Sequence, residues 1–143
     1  MAKNVVISIN TTYVYGPDDE ETVEFSSDGV YVFEKNIGYV SYYETQVTGM
    51  EGTRTSICIM PDSVVVDREG SVNSQMIFKE GVKNSFVYDT PYGSATMGID
   101  TRRVRHNMDE DGGELVIDYL VNMNDSTVTR NRFHVSVRKM GEM

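Results

Sequence analysis

Few residues in this 143-residue chain are of types that do chemistry, and their spacing joins none of them into a catalytic set. The two histidines, His106 and His134, lie far apart. An imidazole titrates near neutral pH and can act as a general base, but only beside a positioned partner. His134 alternates in phase with Arg130, Arg132 and Arg138, which reads as the charged outer face of a strand. Cys58 is the only cysteine, so neither an internal disulfide nor a cysteine-rich zinc site can form. Between Ile57 and Ile59 it is expected as a buried strand thiol rather than a nucleophile. The sequence contains no Gly-x-Ser-x-Gly elbow, no phosphate-cradling glycine loop and no His-Glu-x-x-His. Carboxylates cluster only in Asp18 to Glu21 and Asp109 to Glu114. Hard cations bind clustered oxygens, but Asp109-Glu110-Asp111-Gly112 lacks the third spaced ligand and the distal glutamate of a calcium loop. Both runs are read as solvated turns. No catalytic residue, metal site or cofactor is expected.

The amphipathic residues carry more. Nine methionines and nine tyrosines are many for this length. Met76, Tyr88, Met97 and Tyr119 fall on faces predicted to point inward, as do Asn131 and Phe133 on the last strand. Methionine adapts to irregular shapes, and tyrosine offers an aromatic body with one polar handle. Together they suit a cup for one small apolar or amphipathic ligand, since pockets are mostly apolar with few polar groups. The competing reading of the same six residues is an ordinary filled core.

Charge narrows the partners. The formal charge is −9, with 13 basic against 22 acidic residues. Phosphate backbones and anionic lipid surfaces are drawn to positive fields, so nucleic acid and membrane are not expected as partners. Arg102, Arg103 and Arg105 form the densest basic cluster, beside Asp109, Glu110 and Asp111, and read as a solvated strand face. The longest apolar runs, Val30 to Phe33 and Ile57 to Met60, are far below the ~18 residues of a membrane span. Met1 to Ile7 has no long apolar region of the signal-peptide kind, so a reducing, cytoplasmic setting is expected. Without a secretory signal, the glycosylation patterns at Asn10-Thr11-Thr12 and Asn124-Asp125-Ser126 carry no meaning.

The elements that must position these residues are strands. Twenty valines, eight isoleucines and twelve threonines stand against two alanines and two leucines. β-Branched side chains lose χ1 freedom in a helical turn but pack well on a pleated sheet, which excludes a helix bundle or a doubly wound fold. Alternating runs recur throughout, separated by short turn-rich segments. Val5 to Tyr15 reads as the first strand. Ser27-Asp28-Gly29 reads as a turn or bulge between Thr22 to Ser26 and Val30 to Lys35. Strands are further expected at Tyr39 to Gln46, Thr53 to Met60, Val64 to Arg68, Gln75 to Lys79 and Ser85 to Asp89. Ser94 to Asp100 and Val104 to Met108 follow, and Glu114 to Asn122 and Thr127 to Arg138 close the chain around Asn124-Asp125-Ser126. Only Thr101 to Met108 has a helix-like spacing, with Val104 and Met108 four apart. The expectation is one all-β domain over residues 1–143, a closed antiparallel barrel of about eight to ten strands with little or no helix.

Several segments bear a family likeness. They are Val40-Ser41-Tyr42-Tyr43-Glu44, Gly70 to Phe78, Thr90-Pro91-Tyr92-Gly93, and Asp109 to Leu115 leading to Asp118-Tyr119. In order and over essentially the whole chain, they resemble the YwiB-like family of bacterial proteins, a domain of unknown function. The resemblance implies a lipocalin-like (calycin) barrel in a small cytoplasmic protein and supplies no activity or site residues. Such barrels host binders, enzymes and structural modules alike. The leading functional reading is a non-enzymatic barrel binding a small apolar or amphipathic ligand. The second is a protein-interaction module of unknown partner. The weakest is an enzyme using His134 and nearby arginines on a small anionic substrate, since it needs those groups in a concavity.

Overall fold

The computed structural model describes residues 2–123 and 126–140. Ten antiparallel strands account for nearly all of them. They are β1 (Lys3–Gly16), β2 (Asp19–Glu34), β3 (Ile37–Tyr43), β4 (Thr53–Ile59), β5 (Ser63–Gly70), β6 (Ser74–Lys79), β7 (Lys83–Thr90), β8 (Gly93–His106), β9 (Gly112–Met123) and β10 (Ser126–Lys139). The hydrogen-bonded order is β6-β5-β4-β3-β2-β1-β10-β9-β8-β7. This is a meander in which β1 also pairs with β10, and the sheet curls until β6 and β7 meet. Asn73 and Asp89 exchange backbone hydrogen bonds at 2.8 and 3.0 Å across that seam. The Asn84 side chain donates to the Ile77 carbonyl at 3.2 Å. No ladder joins β6 to β7 among the described residues, so the barrel is nearly rather than fully closed.

Two sequence expectations fail, each for a physical reason. Thr101 to Met108 is not helical: Thr101 to His106 continue β8. The register with β9 shifts between Thr101 and Arg103, so one extra residue separates successive inward side chains. The Val104–Met108 interval of four lies beyond the bulge and equals two strand periods as well as about one helical turn, so it does not by itself mark a helix. Ser27-Asp28-Gly29 is neither turn nor bulge. β2 runs through it with unbroken register to β1, from Val23 opposite Thr11 to Val30 opposite Asn4. Gly29 is there for close approach: a Cβ would meet Ile7 Cδ1 at 2.3 Å and the Ser41 carbonyl oxygen at 2.6 Å. The true turn is Lys35-Asn36, with φ of 54° and 64°, the backbone of a two-residue hairpin. Of the expected turn at Asn124-Asp125-Ser126, the first two residues lie outside the described ones.

The inward face changes character along the barrel axis. On β1 it runs Val5, Ile7, Ile9, Thr11, Tyr13, from fully buried to half-buried. On β10 the same direction reads Val137, Val135, Phe133, Asn131, Thr129, and on β9 Leu115, Ile117, Tyr119, Val121. One end is therefore packed solid. There the 107–111 loop folds over the bore, with Met108 buried and the Tyr31 hydroxyl donating to the Asp109 carbonyl at 2.6 Å. The acidic loop is thus a cap: Asp109 Oδ1 accepts the Asp111 amide at 2.8 Å, and Lys139 pairs with Asp111. The opposite end is polar and open.

Candidate functional site

At the open end two arcs of inward side chains follow directly from strand register. Tyr13 lies opposite Asn131, Asn131 opposite Tyr119, and Tyr119 opposite Thr101, across β1, β10, β9 and β8. Tyr42 lies opposite Thr55, Thr55 opposite Arg68, and Arg68 opposite Ser74, across β3, β4, β5 and β6. These arcs form a polar girdle above the apolar core. Four buried side-chain atoms have no hydrogen-bond partner in the protein among the described residues: Arg68 Nε, Ser74 Oγ, Thr101 Oγ1 and Asn131 Oδ1. All four belong to the girdle. Each such atom costs about 1–3 kcal/mol unless water or another polar group meets it, and all four lie in this one layer.

The girdle is organised by an ion pair. Glu44 follows Tyr42 by two positions, and its side chain is 1% exposed; Arg68 Nε stands 3.9 Å from Glu44 Oε2, its side chain 13% exposed. Three hydroxyls hold the carboxylate. Thr48 Oγ1 donates to Oε1 at 3.0 Å, Thr55 Oγ1 to Oε2, and the Tyr42 hydroxyl also donates to it. Arg68 is less well served: its Nε faces Glu44 beyond hydrogen-bond distance, and its Nη1 donates to the Met76 sulfur at 3.6 Å. Burial pushes the Tyr42 phenol far above its ordinary range, and the Glu44 charge adds to the rise. Burial also lifts Tyr13 to about 12, with Tyr119 adding and Arg68 opposing. Tyr119 is raised by burial, against the Asn131 hydrogen bond and the Arg68 charge. The phenols are therefore neutral at physiological pH, and the girdle carries one positive and one negative charge.

Above and beside the pair opens a cavity of about 410 Å³. Ile9, Phe25 and Phe133 form its apolar wall, Tyr13, Tyr42, Glu44 and Arg68 its polar side, and the 46–50 segment its lip. The Phe25 and Tyr42 rings pack in a tilted arrangement, 5.9 Å between centroids. Its volume is within the range of small-ligand pockets, at their lower end. A larger depression of about 600 Å³ lies on the outer wall among Arg102, Arg103, Arg130 and Arg132. Its arginines are exposed, so it encloses nothing.

Residues 7–135 match a family described as "Domain of unknown function (DUF1934)". The chain belongs to this family. Among curated relatives, this DUF1934 domain is 26% identical over 126 residues to an uncharacterized beta-barrel protein, YwiB, of Bacillus subtilis (strain 168), with 87% of each chain covered. The crystal structure of that B. subtilis protein superposes with a TM-score of 0.84 at 20% identity, covering 96% of this chain and 92% of the other. At that identity the likeness shows the fold, a ten-stranded antiparallel barrel. It supplies no ligand, reaction or site residue.

Of the six residues singled out from the sequence, the DUF1934 barrel buries Met76, Tyr119, Asn131 and Phe133 inside and packs Tyr88 and Met97 partly buried against the core. Phe133 reaches the cavity wall, while Tyr119 and Asn131 are bonded to each other in the girdle. Tyr88 is within electrostatic reach of Tyr13. Met97 stands apart, opposite Phe86 on β7. Sequence reasoning missed Tyr13, Tyr42, Glu44 and Arg68. One signal was readable: Arg68 is in phase with the buried Val64 and Val66, a charge on an inward face.

Of the other chemical candidates, His134 and Cys58 lie on the outer wall, while His106 lies opposite the inward Leu115. His134 Nε2 meets Glu114 Oε1 at 3.1 Å beside exposed arginines, away from the mouth. His106 Nε2 bonds the Met60 carbonyl at 3.0 Å and ties β8 to the β4–β5 turn. Cys58 is not a buried thiol as the sequence suggested; it is half-buried on the outer face, because Ile57 and Ile59 take the inward positions. Burial and then Asp67 raise its pKa, which leaves it a poor nucleophile. Among the described residues, no three His, Cys, Asp or Glu side chains converge to hold a metal ion.

Proposed function

We propose that this domain is a non-catalytic, lipocalin-like binder that takes one small amphipathic molecule into its open end. The observation that carries the reading is the cavity at the girdle, whose polar side includes Arg68 with its buried Nε unmatched by any hydrogen-bond acceptor among the described residues. An apolar body lies against Ile9, Phe25 and Phe133, and a polar head reaches Arg68 and the phenols. The solid lower half contributes stability and closes the bore, so ligand enters and leaves from one end. A single unpaired thiol suits an intracellular, reducing setting.

Native mass spectrometry after exposure of the protein to metabolite and fatty-acid pools tests this. A retained small molecule is expected, and Thr11→Trp, which fills the cavity from its wall, should release it while the barrel remains folded. Retention of nothing, or of the same species by Thr11→Trp, overturns it. A second reading, a protein-interaction module, draws on the outer arginine face of β8 and β10. On a chain of net charge −9, that face is a local reversal of sign suited to an acidic partner.

A further inference from the structure

We infer that the mouth selects an uncharged, hydrogen-bonding head group, such as a carboxamide, and rejects both carboxylates and ammonium groups. The inference rests on the mouth being a ligand site and adds which ligands it takes. It starts from the charge balance of the girdle. Arg68 already has its counter-charge in Glu44 at 3.9 Å, and the surrounding phenols are neutral. A buried ion is tolerated only with its own compensating charge.

A carboxylate entering the cavity finds one cation, Arg68, and must share it with the negative Glu44. An ammonium finds one carboxylate, but that group already accepts from Thr48, Thr55 and Tyr42, and the Arg68 charge stands next to it. A neutral head escapes both conflicts. Its carbonyl accepts from Arg68 Nε, which stands 3.9 Å from Glu44 and has no hydrogen-bond acceptor among the described residues. Its N–H turns to the phenol oxygens of Tyr13 and Tyr42, which share the polar side of the cavity with Arg68. The head thus gains hydrogen bonds without adding net charge to a buried layer.

The test compares octanamide, octanoate and octylamine, which share one apolar tail, by titration calorimetry on the full chain at neutral pH. Octanamide is expected to bind at least about tenfold more tightly than either ion. In Glu44→Gln, Arg68 loses its internal counter-charge, and octanoate is expected to overtake octanamide. Circular dichroism establishes whether that variant folds, and the wild-type order decides the matter if it does not. Octanoate or octylamine binding wild type as tightly as octanamide overturns the selectivity and leaves the mouth as a ligand site. Binding of none of the three overturns the selectivity; if the pools also yield no retained species, the site itself falls with it.

Discussion

The Glu44–Arg68 pair allows a stability prediction whose sign depends on which partner is removed. Glu44→Gln leaves a guanidinium, 13% exposed, facing no carboxylate, with the Met76 sulfur as its remaining close contact. Removing one partner of a buried pair costs about 3–5 kcal/mol, and partial exposure of Arg68 puts this case near 3 kcal/mol. Arg68→Met is gentler. The methionine keeps the apolar stem, and the stranded carboxylate retains hydrogen bonds from Thr48, Thr55 and Tyr42. A cost of about 1 kcal/mol is expected, because the charge stays hydrogen-bonded. The double variant has neither charge to strand and should lose only about 1.5 kcal/mol, giving a coupling of roughly 2 kcal/mol or more. Urea unfolding of the four proteins, with unchanged m-values, measures the cycle. Arg68→Met costing as much as Glu44→Gln, or strictly additive effects, would refute the asymmetry read from the hydroxyl donors.

Three further outcomes are expected. Gly29→Ala must displace Ile7 and crowd the Ser41 carbonyl oxygen, and should cost about 2 kcal/mol or more by the same unfolding assay, a loss typical of overpacking. Replacing Lys35-Asn36 by Asn-Gly suits the two positive φ values and should raise stability by about 1 kcal/mol, seen as a higher urea midpoint. Tyr13 and Tyr31 both rise to about 12, mainly through burial. A phenol with a raised folded pKa holds its proton longer folded than unfolded. Its contribution is therefore complete below the ordinary value of 10.0 and is lost as pH climbs to about 12. Phenolate absorbance against pH should show buried tyrosines ionising late and together with loss of fold; stability unchanged across that window would contradict their burial.

Much of the fold was legible because the inward face is written in alternation. Leu115, Ile117 and Tyr119 on β9, and Asn131, Phe133, Val135 and Val137 on β10, lie inside as their period of two implies. The failures have local causes. The four-residue interval from Val104 to Met108 fits two strand periods as well as one helical turn, and an Asp-Gly pair that ordinarily marks a turn sits mid-strand because Gly29 must admit Ile7 and Ser41. The site was half legible. Tyr119, Asn131 and Phe133 were found on inward faces, but Glu44 and Arg68 come from β3–β4 and β5, with β4 between them. Only curvature of the sheet brings such groups together, and no spacing within one strand encodes curvature.

The seam between β6 and β7 has a mechanical consequence. Hoop stiffness in a β-barrel comes from unbroken lateral hydrogen bonding, and here the hoop is a split ring. Widening the bore elsewhere would require unzipping a ladder of several bonds. At the split it requires parting the reciprocal Asn73–Asp89 pair and the Asn84–Ile77 bond. The Asn73–Asp89 clasp joins the 71–73 connection to the end of β7, at the open end of the barrel. The girth of the mouth is therefore its most compliant dimension, and Asn73 is the clasp that sets it.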